Sequence, residues 1–364
     1  MHVLHVISGL GTGGAESFLA TLAPRLLADG IEQAVVSLTG DGPLAAKLEA
    51  GGIPVVRFDV RSPLGMLHTI RGLRAFVAKL QPSVIQGWMY HGDLFATIAH
   101  KLAGGGPRRL YWNIRCSDMQ LADYSRQLRM VVKACTWASP MPDAVLANSA
   151  AGARVHVAAG YRPRQILVLP NGVDCTRFAP DDAARRAVRD ELGIRADEVV
   201  VMHVARVDPM KDHAGIIAAA ARLERARVVL VGAGTDTLDL PANAMALGQR
   251  TDVARLLNAG DIVVSSSAYG EGFSNAVAEG MATGLVPVAT EVGDATEIID
   301  DCGTLVPPGD PAALAAALQK IIDLTAEERS RRGALARERI LSRYTLDQAV
   351  ERFEALYTGK SGEA

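Results

Sequence analysis

The sequence predicts an α/β protein built from two doubly wound parallel sheets, and three observations support this. Short apolar runs recur along the whole chain, spaced so that a helix fits between one run and the next. Glycine clusters directly follow several of these runs, where a strand-to-helix turn needs an unhindered backbone. The length of 364 residues, 49% of them hydrophobic and 21% charged, allows two domains that each have a core.

In the first half the strand-like runs fall at 2–8, 33–38, 54–60, 83–89, 109–114, 144–148 and 165–169. Ligands of such sheets sit at the carboxyl ends of strands, so the loops after the runs carry the candidate site. The first loop holds G-x-G-x-x-G at Gly9, Gly11 and Gly14. A dinucleotide fingerprint also needs an acid closing the second strand. Here that strand ends Ser37, Leu38, Thr39, and Asp41 comes only after Gly40. His91 follows the fourth run beside Gly92, placed for ligand contact, and a neutral imidazole can donate or accept one hydrogen bond. Asn113 and Arg115 end the fifth run, where an arginine either lines an acceptor cleft or pairs with a neighbouring carboxylate. Asn148 and Ser149 read as structural. Turn residues at Pro170, Asn171 and Gly172 close a first domain at 1–172.

A charged helix at 182–192 follows as part of a linker, 173–195, with Asp181 or Asp182 as its cap. Nothing near that acidic pair completes an oxygen cage for a metal. Further runs at 199–205, 227–231, 244–247, 261–267, 286–289 and 303–306 make a second sheet, and the second domain extends over 173–345. Arg206 and Lys211 follow the first of these runs; arginine grips two phosphate oxygens in a fork and lysine neutralises as a point charge.

The chemistry centres on the stretch after 261–267. Gly270 and Gly272 allow a sharp turn, Ser274 or Asn275 caps the next helix, and that helix points its positive end at an anion. Glu271 and Glu279 would repel a phosphate, so they fit hydroxyl groups on either side of it. A phosphate flanked by hydroxylated groups describes a nucleotide sugar. The chain closes with an amphipathic helix and tail at 346–364.

A net charge of −2 gives no general attraction to nucleic acid. Cys116, Cys135, Cys175 and Cys302 are too scattered for a zinc site or a disulfide framework. No run reaches the roughly 20 apolar residues that span a bilayer, and the first residues read as a buried strand, not a signal peptide. The expectation is a cytoplasmic protein. Two segments read as basic helices. Residues 61–80 carry Arg61, Arg71, Arg74 and Lys79 with no acid, and 101–133 carry seven Lys or Arg against Asp118 and Asp123. Interleaved with Leu64, Met66, Leu67, Leu121, Leu128 and Val131, they predict either a solvated face or peripheral contact with anionic lipid at the inner membrane face.

The run from Glu271 to Glu279, followed by Met281, Thr283, Gly284 and the Val286-Pro287-Val288 strand, resembles the E-x7-E signature of retaining glycosyltransferases of family four. The resemblance extends over nearly the whole chain. It implies a GT-B fold, two Rossmann-like domains facing across a cleft, the first for acceptor and the second for donor, with the final helix crossing back to the first. It implies transfer of a hexose, with retention, from a UDP or GDP sugar; the basic segments point to a glycan or polyprenyl-diphosphate-linked acceptor in surface polysaccharide or glycoconjugate synthesis.

Residue by residue, the resemblance makes Gly13 and Gly14 the glycine loop that meets the donor diphosphate or the acceptor, and puts His91 beside the hexose. Arg206 and Lys211 hold the departing diphosphate, and Glu271 takes a hexose hydroxyl. Gly234, Arg250, Phe273, Ser274, Asn275 and Glu279 fall on donor-contacting positions, Glu279 at the ribose. Asn113 and Arg115 are left to the acceptor. No metal and no cofactor are implied. Two positions depart from the family pattern: Asp294 stands for a second glycine after Gly293, and Gly280 stands for alanine. The competing readings are an NAD-dependent oxidoreductase using the first glycine loop and a nucleotide-sugar-binding protein without turnover. An epimerase resembles this helix less, and a phosphorylase would need a pyridoxal lysine that the sequence does not offer.

Overall fold

A computed structural model describes residues 1–104, 108–117 and 125–360. It divides into two units, Met1–Asn171 with Ala349–Ala364, and Gly172–Gln348.

The first unit runs β1 (His2–Ile7), α1 (Gly14–Ala28), β2 (Glu32–Ser37), α2 (Pro43–Ala50), β3 (Val55–Arg57), α3 (Pro63–Leu80), β4 (Val84–Trp88), α4 (Met89–Leu102), β5 (Arg109–Ile114), α5 (Arg126–Ala138), β6 (Ala144–Ala147), α6 (Ala150–Ala158) and β7 (Ile166–Val168). Its strands lie in the order β3-β2-β1-β4-β5-β6-β7, all parallel. The order reverses at β1 and β4, which puts the crevice of such a sheet at their carboxyl ends. On one face Leu4 and Val6 pack against Leu73 and Val77 of α3, Phe95 of α4, and Val132 and Cys135 of α5. On the other, Trp88 stacks on Phe353 at 6.5 Å between ring centres, with Phe18 of α1 6.0 Å from Phe353.

The second unit runs α7 (Asp182–Glu191), β8 (Val199–Val204), α8 (His213–Ala220), β9 (Ala226–Val231), β10 (Ala244–Ala246), α9 (Val253–Leu257), β11 (Ile262–Ser265), α10 (Asn275–Ala282), β12 (Val286–Thr290), α11 (Ala295–Ile299), β13 (Thr304–Val306), α12 (Pro311–Ile322) and α13 (Ala326–Arg343). The last helix, α14 (Leu346–Thr358), starts in the second unit and belongs to the first from Ala349 onward. The sheet order is β10-β9-β8-β11-β12-β13, again parallel, and reverses between β8 and β11. Asp181 caps α7, accepting from the Ala183 and Ala184 amides at 2.8 and 3.0 Å. Asp261 ties α7 to the start of β11 by accepting from Arg185 at 2.7 Å, Arg189 at 2.9 Å and the Val200 amide at 2.8 Å.

The structure corrects two expectations. The edge strands are short: the run at 54–60 forms a strand only over Val55–Arg57, because β3 has a single neighbour to hold it. The basic stretch 101–133 is not one helix; it contains the end of α4, all of β5 and the start of α5, so its charges do not share a face. Leu128 and Val131 pack toward the core, while Asp118, Leu121 and Asp123 lie outside the described residues. Arg61 also has an acid just outside its basic window, Asp59 at 2.7 Å. Among the described residues no helix is long and apolar enough to cross a membrane.

Candidate functional site

In the second unit the loops after β8 and β11 bring cations and a carboxylate together. β11 is apolar until Ser265, and the polar residues that follow turn the chain into the loop that carries Glu271. Glu271 is 8% exposed; its Oε1 pairs with Lys211 Nζ and accepts from Ser267 Oγ at 2.8 Å. Lys211 ends a 3-10 turn, Pro209–Lys211, capped by Asp208, which accepts from the Met210 amide at 3.0 Å. Asp208 also takes Arg206 at 2.9 Å, and half of the Arg206 side chain stays in solvent.

Backbone contacts fix the glutamate loop. Gly293 has φ +64°, and a Cβ there would sit 2.2 Å from the Glu271 carbonyl oxygen, so only glycine lets the loop after β12 lie against it. The Asp294 amide then donates to the Gly272 carbonyl at 3.1 Å. Asp294 itself has an ordinary φ of −94°, which is why an aspartate is tolerated where the family pattern has glycine. Gly280, the other departure, brings α10 onto β11: a Cβ would fall 2.5 Å from that of Val263.

Helix α10 begins at Asn275 with Ser274 at the N-cap and no side-chain cap bond. Ser274 therefore contributes no capping bond at the positive end of the helix dipole. Glu279 lies one turn into this helix, partly exposed. Its poorly hydrated surroundings push its pKa up to about 7, with Arg177 pulling the other way.

Two expected donor residues have their side chains engaged elsewhere. Phe273 is a core residue, 5% exposed and edge-on to Tyr344 at 5.5 Å. Arg250 joins an ion network with Asp252 at 2.8 Å and Glu191 at 3.6 Å, which fastens α9 to α7. Gly234, at φ +83°, lies in the loop after β9, which meets the arginine loop where the Val207 amide donates to Ala233 at 2.8 Å.

In the first unit Gly13 is the N-cap of α1 and Gly14 its first residue. His91 lies not in a loop but in the first turn of α4, which starts directly after β4 through a left-handed Met89 at φ +61°. Half-burial lowers its pKa and favours the neutral imidazole. Arg115 lies over the Phe18 ring at 4.3 Å and the Trp88 ring at 5.2 Å. Its hydrogen-bond partners among the described residues are carboxamides: Asn113 Oδ1 at 3.2 Å and Asn171 Oδ1. Burial lowers its pKa to about 9. Ser149 caps α6, accepting from the Gly152 amide at 2.9 Å. Asp41, the acid that follows the second strand, is bound to Arg57 at 3.0 Å.

Sequence reasoning missed Asp208, Ser266 and Ser267. The signal was the run of three serines closing an apolar strand. Among the described residues no three His, Cys, Asp or Glu side chains converge as metal ligands. A surface hollow lined by Asp59, Leu64, Gly65, Leu67, His68 and Arg71 opens at the start of α3, and no expected site residue lines it.

Two family models match the chain, "Glycosyltransferase Family 4" over residues 12–177 and "Glycosyl transferases group 1" over 198–323. A D-inositol 3-phosphate glycosyltransferase of Geodermatophilus obscurus is 34% identical over 244 residues, 58% of this chain and 52% of that protein. The protein of the same name from Mycobacterium tuberculosis is 32% identical over 222 residues, 56% and 46% of the two chains. The chain thus spans about half the length of these relatives. HepE of Anabaena, solved with UDP and glucose, superposes with a TM-score of 0.85 at 23% identity, covering 99% of this chain and 100% of that one. Sucrose-phosphate synthase of Thermosynechococcus elongatus gives 0.82 at 20% identity, covering 99% of each. These two likenesses show a shared fold.

Proposed function

The chain belongs to the glycosyltransferases that these two family models describe and has their GT-B fold, and on that premise we propose that it transfers a hexose, with retention, from a nucleoside-diphosphate sugar. The observation that carries this reading is the Lys211–Glu271 pair set in a glycine turn that leads into the start of α10. A fixed ammonium, the nearby Arg206 and the helix dipole favour negative charge as it grows on the departing diphosphate. Glu271 accepts from a hexose hydroxyl, Glu279 from the ribose, and His91 contacts the hexose as a neutral imidazole. The acceptor hydroxyl attacks the anomeric carbon on the face the diphosphate leaves. The new C–O bond forms as the old one breaks, and the departing phosphate oxygen takes the hydroxyl proton.

The contacts expected at Phe273 and Arg250 fall to their backbone groups, since both side chains are engaged elsewhere. HepE's complexes with UDP and UDP-glucose make uridine donors the first to try before GDP sugars. The two D-inositol 3-phosphate glycosyltransferases add a phosphorylated polyol to the glycan and lipid-linked acceptors worth testing. The test is a thermal-shift panel with UDP, GDP, ADP, their sugars and NAD, followed by a transfer assay with the stabilising donor and NMR of the product anomer. Selective stabilisation by one nucleoside diphosphate and an α-linked product from an α-linked donor are expected. A shift with NAD alone would overturn the reading.

An acceptor carried on a membrane is supported by a separate observation. Leu64 of α3 and Trp137 of α5 are 82% and 79% exposed, with Leu67 and Met130 also in solvent. Arg71, Arg74, Arg129 and Lys133 are exposed on the same two helices, both of which pack on one face of the first sheet. Such mixed apolar and basic helix faces suit anionic lipid. Sedimentation with phosphatidylglycerol vesicles, lost in Leu64→Ser with Trp137→Ser, is the expected result; full binding by that variant would count against it.

A further inference from the structure

The mechanism above leaves unexplained a buried histidine beneath the Lys211 turn. His203, on β8 and 2% exposed, reaches Ser266 Oγ with its Nε2 at 3.2 Å and packs edge-on to His213 at 4.9 Å between ring centres. Ser266 Oγ donates to the Lys211 carbonyl at 2.8 Å and lies 3.2 Å from that of Asp212. One hydroxyl proton cannot serve the histidine as well, so His203 must be the donor to Ser266, with its proton on Nε2. His203 Nδ1 then needs no proton, and no described group faces it as a partner.

The backbone held in this way is strained. Asp212 has φ +45°, a conformation that costs a non-glycine residue energy and persists only where its surroundings impose it. A second bond, from the Ala268 amide to the Met210 carbonyl at 2.9 Å, ties the same turn to the end of β11. Ser267, one residue on, holds Glu271 at 2.8 Å, and Thr290 Oγ1 holds the Ser267 carbonyl at 2.6 Å. Adjacent serines thus grip the two members of the ion pair, one through the backbone behind Lys211 and one through the carboxylate of Glu271.

We propose that His203 and Ser266 are positioning residues, a two-link prop that fixes the Lys211 carbonyl and so aims the ammonium at the departing diphosphate. This rests on the functional reading above. Burial lowers the His203 pKa to about 3, which keeps the ring neutral and the prop intact.

The test measures kcat and donor KM for the wild type, Ser266→Ala, His203→Leu, His203→Gln, Lys211→Met and Ser266→Ala combined with Lys211→Met. Melting temperatures check that each variant is folded. Ser266→Ala removes a single atom and is expected to lower kcat by about ten- to a hundred-fold. His203→Gln, whose amide supplies an N–H in place of Nε2, should recover most of what His203→Leu loses. In the Lys211→Met background Ser266→Ala should do nothing further to kcat, because the prop acts through Lys211. Normal kcat in Ser266→Ala, equal losses in Gln and Leu variants, or losses that add to Lys211→Met would overturn the prop while leaving the transferase reading intact. A wild type that transfers from no nucleoside-diphosphate sugar would remove both.

Discussion

Glu271 is paired with Lys211, and this shapes what its removal does. In Glu271→Ala the carboxylate that holds Lys211 disappears together with the acceptor proposed for the hexose hydroxyl. The expected result is a fall in kcat of about a hundred-fold or more, the size seen when one transition-state contact is lost; near-normal turnover would remove Glu271 from the mechanism. Glu279 behaves differently because its pKa is raised to about 7. Between the unfolded carboxylate value and about 7 the folded state binds more protons than the unfolded one, so this group's contribution to stability falls as pH rises through that window. Glu279→Gln should therefore raise the melting temperature relative to wild type more at pH 8 than at pH 5. Nucleoside diphosphate affinity should rise from pH 6 to 8 in the wild type, as the carboxylate forms to accept ribose hydroxyls, and this rise should be smaller in Glu279→Gln. Titrations of both proteins with UDP check it, and identical pH profiles would count against ribose contact at Glu279. The two glutamates were legible from their spacing and their glycine turn. The partners of Glu271 were not, since Lys211 lies 60 residues away and only the adjacency of β8 and β11 brings it there.

At the level of the element, α10 is placed by what it lacks. Gly280 has no side chain, so the helix rides close against Val263, whose branched carbon would lie 2.5 Å from an added Cβ. Val263 is stiff about χ1 and fully buried, leaving the helix to move instead. Gly280→Ala is therefore expected to destabilise the second unit by about 1–3 kcal/mol, an overpacking cost, even though alanine is the better helix former. Adding Val263→Ala should return part of the loss, and urea denaturation of the single and double variants measures it. If Gly280→Ala alone proves stabilising, propensity rather than packing governs this helix. The strand positions could be read from apolar runs, since burial on both faces leaves an uninterrupted apolar stretch in the sequence. Their ends could not: β3, β7, β10 and β13 stop after three residues because an edge strand is held from one side only. The place of His91 was misread for a related reason. Met89 adopts a left-handed backbone that lets α4 begin without a loop, and nothing in a methionine announces that.

For the whole molecule, two separate cores mean that damage to one need not reach the other. The amphipathic spacing of the last helix shows that it has a face to bury, and not which core receives it. Phe353 answers that: fully buried, it stacks on Trp88 and meets Phe18, while Tyr357 donates to Gln86 Oε1 at 2.7 Å. The Arg115 guanidinium lies over two rings of the same cluster, Phe18 at 4.3 Å and Trp88 at 5.2 Å. Phe353→Ala opens a cavity there and is expected to cost the first unit about 3–5 kcal/mol. The second unit keeps every contact of its own core. Calorimetry should then show two transitions: one at lower temperature than in the wild type, and one that still shifts upward on adding UDP, because the donor-binding groups assigned to the second unit are untouched. A single transition displaced as a whole would mean that the two cores melt as one cooperative body, and that α14 couples them.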